Sequence, residues 1–115
     1  MKNCIFCKIV NKEITADIVY EDKEILGFKN VHPEAPIHFL LIPKRHIVWK
    51  DEFDEEDLTL LGRLLSTAKK ISKEKKVFEA CKLIFNVGKT GHITHIHVHL
   101  LGGWGEEKIP KYNVQ

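Results

Sequence analysis

His95-Ile96-His97-Val98-His99-Leu100-Leu101 alternates imidazole with aliphatic side chains. A β-strand has a side-chain period of two. The stretch therefore places three histidines on one face and Ile96, Val98 and Leu100 on the other, toward a core. Gly102-Gly103 ends the strand. Three crowded rings with an ordinary pKa of about 6.5 are not all protonated cheaply at neutral pH. At least one is then a neutral imidazole, the form that a nucleophile, a base or a metal ligand needs. Alternation alone establishes only a half-buried strand. The histidine row is compatible with a plain polar surface, with a metal site, or with an extended ligand. Positions i to i+4 spread over about 13 Å at about 3.3 Å per residue. That is awkward for one small ion and suits a phosphate chain.

Working outward, Lys82 to Val87 (KLIFNV) reads as a strand, joined to the histidine strand by Gly88-Lys89-Thr90-Gly91. That glycine loop can aim backbone N–H groups at an anion but lacks the Walker pattern. Ile37 to Ile42 (IHFLLI) is an apolar central strand stopped by Pro43. Asp17 to Glu21 and Glu24 to Lys29 pair as a hairpin about Asp22-Lys23. Pro33 and Pro36 stiffen the loop after it. Ile9 to Ile14 reads as a short helix or turn. A long amphipathic helix follows the acidic run 51–57, with Asp54 as N-cap and Leu58, Leu61, Leu65 and Ala68 as the expected buried stripe. Its lysines, Lys69 to Lys76, sit at the favourable end of the helix dipole. Gly62 inside it marks a possible close helix contact. The expected class is α+β: a mainly antiparallel five-stranded sheet, one long helix and a short N-terminal helix.

At 115 residues, with 43% hydrophobic and 30% charged residues, the chain suits one soluble globular domain over 1–115, with 104–115 as a tail. A net charge of +2 makes no case for nucleic acid or a membrane surface as partner. The apolar residues near the start are interrupted by Lys8, Lys12 and Glu13, so they form neither a signal peptide nor a span. A cytoplasmic location is the expectation.

Cys4-Ile5-Phe6-Cys7 is a CxxC. In a reducing compartment it favours metal over disulfide. A zinc reading needs two more ligands. With no second CxxC, and Cys81 isolated, those ligands should be histidines. Locally, Lys44-Arg45-His46 reads as a solvated basic turn.

The His-x-His-x-His pattern with apolar x, closed by two apolar residues, resembles the signature of the histidine triad (HIT) superfamily. The resemblance extends over nearly the whole chain. Cys4 to Val10 looks like the opening of bacterial members, Phe28-Lys29-Asn30-Val31 like the ribose-binding segment, and His38 to His46 like a second family block. Leu100-Leu101-Gly102-Gly103 is closest to the Hint branch. It implies a HIT-like fold and a hydrolase or phosphoramidase acting at the α-phosphate of a purine nucleotide conjugate. His97 would be the nucleophile that forms a nucleotidyl-histidine, with Nδ1–H anchored on the carbonyl of His95. His99 and glycine-loop amides would hold phosphoryl oxygens, with His38 as a supporting ring. Asn30 would meet the ribose, Asn86 would lie near ribose and phosphate, and Phe6, Ile9, Ile14, Phe28, Val31 and Leu40 would form the base slot. By the same resemblance Cys4, Cys7, His46 and His95 would hold a structural zinc, and the chain would be a homodimer built on the long helix and an edge strand.

Three positions depart from the family pattern. Thr90-Gly91-His92 stands where members have Gly-Gln-Ser/Thr, so His92 replaces a hydroxyl. The loop from Asn86 to His95 is about two residues short against the family pattern. Trp104 replaces an arginine after Gly-Gly. These changes leave the leaving-group preference open. The altered Gly91-His92 stretch also raises an alternative: a nucleotide-binding regulatory module with little turnover. A zinc-stabilised interaction protein would leave His97 and His99 without a role.

Overall fold

A computed structural model of the chain describes residues 3–110. The last five residues of the expected tail lie outside it. Five strands, β1 (Ile18–Glu21), β2 (Ile25–Lys29), β3 (Ile37–Pro43), β4 (Cys81–Ile84) and β5 (Val98–Gly102), form one antiparallel sheet in the order β1-β2-β3-β5-β4. Helix α1 (Ile5–Val10) lies near the start, and helix α2 (Glu55–Glu74) connects β3 to β4. The hairpin turn is closed by the Asp22 carboxylate, which accepts from the amides of Glu24 and Ile25 at 2.8 and 2.7 Å.

The apolar run of β3 is explained by burial on both faces. Phe39 and Leu41 point to a core shared with α2, built from Ile25, Leu60, Leu64, Ala68, Ile71, Ile96, Val98 and Leu100. His38, Leu40 and Ile42 point the other way. There Leu40 and Ile42 meet α1 in a second core with Leu26, Phe28, Phe6, Ile9 and the two N-terminal cysteines. Ile96, Val98 and Leu100 thus face the helix, as their alternation requires.

Three elements differ from the sequence expectation in extent. The short helix covers Ile5–Val10, not 9–14, because Cys4 caps it: its Sγ accepts the Cys7 N–H at 3.4 Å. β4 stops at Ile84. The histidine strand is also regular only from Val98. Its ladder with β3 runs out at Leu41–Val98. Further on, Pro43 has no N–H to offer and the chain turns away. His95 pairs only as a lone bridge to Val48.

The helix presents a different face from the one expected. Leu58 and Leu65 are 56% and 53% exposed, whereas Leu64 is fully buried with Leu60, Ala68 and Ile71. Both sets recur at three and four residues, so period alone does not choose between them. The orientation is set by Asp57. Its buried carboxylate meets Arg45 at 2.9 Å and Lys50 at 3.0 Å, and the lysine is the main cause holding its pKa below the ordinary carboxylate range. Asp54 caps the helix as expected, accepting from Asp57 N–H at 2.8 Å. A Cβ at Gly62 would meet nothing within 4 Å among the described residues, so the expected close contact is not made within them. Leu64→Ala should therefore cost about 2–5 kcal/mol in denaturant unfolding, as for other fully buried leucines. Leu65→Ala should cost less than about 1 kcal/mol if measured on the monomer. Equal costs would show that the helix is rolled differently.

Candidate active site and metal centre

The triad is divided between two sites. His95 is fully buried. Its Nδ1 lies 3.5 Å from Cys4 Sγ and 3.6 Å from Cys7 Sγ, and Cys7 Sγ lies 3.2 Å from His46 Nδ1. The four ligand atoms all fall within 4.8 Å of one another. The idea of a histidine row reading one extended ligand therefore fails, because His95 faces the thiols and not the cleft. With Zn–S near 2.3 Å and Zn–N near 2.05 Å, a tetrahedral site has S···N separations of about 3.6 Å. Two thiols and two imidazoles at these spacings fit a tetrahedral divalent ion. His95 Nε2–H donates to the Pro43 carbonyl at 2.7 Å, so Nδ1 keeps its lone pair toward the cluster. Burial is the first cause that lowers the His95 pKa to about 4, and it lowers that of His46 as well. Burial beside Cys4 raises that of Cys7. A bound cation would favour the thiolate instead.

His97 and His99 open on the other side. His97 Nδ1–H donates to the His95 carbonyl at 2.9 Å, so its Nε2 carries the free lone pair. Phe6 packs edge-to-face against this ring, centroids 5.1 Å apart. His99 has its own tautomer assigned by neighbours. The Glu34 amide N–H donates to His38 Nδ1 at 3.0 Å, so the His38 proton sits on Nε2. That proton is donated to His99 Nδ1 at 2.9 Å, which leaves His99 with an N–H at Nε2. The nucleophile candidate thus offers a lone pair and its neighbour a donor. Burial first, then the adjacent rings of His97 and His38, lowers the His99 pKa to about 4. Burial also lowers that of His38.

Both rings line a cleft of about 420 Å³. Phe6, Ile9, Ile14, Phe28 and Leu40 form its apolar side, and Asn30, Val31, Asn86, Gly91 and His92 also line it. The Asn30 Oδ1 accepts the His32 N–H at 2.8 Å, which puts its amide nitrogen 3.3 Å from the His38 ring. His38 lines a separate recess with Glu34, Ile84 and Leu101, which adjoins the cleft at Asn86 and His99. Ile5, Thr15, Ala16, Lys29, Thr90 and Ile93 line the cleft too and are missed by the sequence reading. Ile93 alone had a signal, two residues before His95 on the same alternation. The glycine loop behaves differently from its expectation. It forms a 3₁₀ turn in which the Thr90 and Gly91 amides bond to Val87 and Gly88 carbonyls, both at 3.3 Å. Gly91 is required by closeness: a Cβ would lie 2.8 Å from the Asn86 carbonyl oxygen.

Residues 3–109 match the family model described as scavenger mRNA decapping enzyme C-term binding. The chain is 43% identical to a crystallised HIT family hydrolase from Legionella pneumophila, with TM-score 0.83 over 90% of this chain and 95% of that one. This chain belongs to the histidine triad superfamily, on its Hint-like branch. Among HIT relatives, it is 42% identical to a 14 kDa zinc-binding protein of Brassica juncea over 86% of this chain and 91% of the relative. It is 41% identical to adenylylsulfatase HINT1 of Arabidopsis thaliana, over 86% of this chain and 70% of the relative. No helix among the described residues of this HIT protein is long and apolar enough to cross a membrane.

Proposed function

We propose that this HIT protein hydrolyses purine nucleotide conjugates at the α-phosphate, as a phosphoramidase working through a nucleotidyl-His97 intermediate. The observation that supports this most directly is the His97 ring, held by Nδ1–H on the His95 carbonyl so that Nε2 is free beside the His99 donor. Nε2 attacks phosphorus, the bond to the leaving group breaks, and that group departs with the electron pair. Water then attacks phosphorus, the P–N bond breaks, and the nucleoside monophosphate leaves with His97 restored. His99 Nε2–H stabilises charge on the phosphoryl oxygens. The base rests in the apolar slot, with Asn30 at the ribose.

In this reading Cys4, Cys7, His46 and His95 hold zinc in a closed structural site. The whole chain is one HIT domain in the cytoplasm, with no nucleic-acid or membrane partner. Turnover of an adenosine 5′-phosphoramidate, a dinucleoside polyphosphate and adenosine 5′-phosphosulfate tests the activity. The last is included because a relative is named adenylylsulfatase. The alternative, a nucleotide-binding module with little turnover, draws on the internally bonded loop amides and His92. Tight binding without turnover of any of the three would establish it.

His92 lines the cleft and is exposed. As a ring with N–H donors it takes over contact with the leaving-group side. His92→Ser should keep turnover and change the ranking of leaving groups. His92→Ala matching wild type on every substrate would make the residue mere surface.

The protein is a homodimer in this reading. Leu58 and Leu65 on α2, and Leu83, Ile84 and Phe85 at the β4 edge, leave apolar surface exposed in one chain. A second copy would cover it and place a helix beside Gly62. Light scattering should give twice the chain mass, and a monomer at high micromolar concentration would contradict it.

A further inference from the structure

The nucleophile sits where the sheet gives out. Regular pairing of β3 with β5 ends at Leu41–Val98, one residue short of His97. Beyond it, two irregular segments, 44–48 and 94–97, carry His46, His95 and His97. Ile96 N–H donates to the Ile47 carbonyl at 2.8 Å, and Val48 bridges His95. The Cys4, Cys7, His46 and His95 cluster takes one histidine from each segment. It thus ties together two pieces of chain that the ladder no longer joins.

His95 uses three groups at once. Nδ1 faces the thiols, Nε2–H donates to Pro43, and the main-chain carbonyl accepts from His97 Nδ1–H. With the ring engaged at both nitrogens and the 95–96 peptide bonded through Ile96 N–H to Ile47, the His95 carbonyl is held in one orientation. We infer that the metal centre sets the reactive form of the nucleophile, with His95 as a positioning residue whose carbonyl is aimed by ligation of its own ring. This rests on His97 being the nucleophile. Without ligands on the His46 and His95 rings, only the Ile96 N–H bond to Ile47 and the Val48 bridge join the two segments, and the His95 carbonyl loses its fixed aim at His97 Nδ1–H. The His97 ring then moves to the Nε2–H tautomer that free imidazole side chains favour, and that form has no lone pair facing the cleft. Of the residues that would bind base and ribose, Phe28, Asn30 and Leu40 lie on or beside β2 and β3 and stay in place, while Phe6 and Ile9 ride on α1 beside the cysteines.

The test changes the cluster without touching the triad strand. In zinc-loaded wild type, nitrogen NMR of histidine-labelled protein should show His97 as a single Nδ1–H tautomer. In Cys4→Ser/Cys7→Ser the Nε2–H form should dominate, kcat should fall by about tenfold or more, and KM for the phosphoramidate should stay within about threefold. Where that variant does not fold, His46→Ala serves as the single-ligand loss, and His46→Cys, which restores four ligands, should restore the anchored ring. A metal-free protein that keeps the Nδ1–H tautomer and its kcat overturns the inference. A zinc-loaded wild type with an anchored His97 that moves on chelation, yet no turnover, removes the hydrolase reading and leaves the coupling standing.

Discussion

His97→Ala is expected to lose turnover by roughly 10⁴-fold or more while AMP still binds within about tenfold of wild type. The separation follows from the layout. In the proposed function, chemistry would depend on one lone pair, at His97 Nε2, which the His95 carbonyl makes available by holding the opposite nitrogen. Binding would depend on the apolar slot, on Asn30 and on the His99 donor, all carried by other positions. His99 cannot substitute, because His38 holds its Nδ1 and leaves Nε2 protonated. Rapid quench with an activated adenylate, followed by peptide mass spectrometry, should find a nucleoside monophosphate on His97. An adduct on His99 or His92, or full activity in the alanine variant, would show the nucleophile to be elsewhere.

Removing the metal is expected to lower stability strongly. Protein purified without chelator should contain one zinc per chain, and chelation should lower Tm by at least about 10 °C, or upwards of about 2 kcal/mol for a chain of this size. The effect is smaller than in zinc fingers because two apolar cores persist without the ion. It is still large, because the cluster ties residues 4–7 to both His46 and His95. Acid should act in the same direction. His95 and His99 have folded pKa values near 4, below the ordinary imidazole range near 6.5. The unfolded chain therefore takes up more protons between those limits. Stability is full above about 6.5 and falls as pH drops toward 4, where the folded rings begin to protonate. A chelated protein with unchanged Tm, or a Tm that rises on acidification through this window, would contradict the assignment.

The sheet was legible in the sequence because its strands carry strong local signals: alternation in 95–101, an uninterrupted apolar run in 37–42, and an Asp-Lys turn between two short strands. Helix α2 was legible in extent but not in rotation. Leu58-Leu61-Leu65 and Leu60-Leu64-Ile71 are both helical stripes, and the choice is made by Arg45 and Lys50 gripping Asp57. Those partners lie outside the helix, so no reading of its period reveals them. His46 is a similar case. Its neighbours are basic and exposed-looking, and its place beside the two thiols depends on Pro43 ending β3, so that the chain turns back beside His95. Only the family resemblance pointed to it as a candidate ligand. The glycine loop shows the opposite failure. Its composition suggested free amides, and the 3₁₀ turn occupies two of them.

The two-faced centre of the sheet has a consequence for how this protein can change. Along β3 and β5, successive residues belong alternately to the packing against α2 and to the cleft or its floor: Phe39, Leu41, Val98 and Leu100 on one side, His38, Leu40 and His99 on the other. Phe39, Leu41, Val98 and Leu100 bear on packing against α2, whereas Leu40, with Phe28 on β2, both lines the cleft and packs in the second core. A library that varies Leu40 and Phe28 is expected to change stability and recognition together.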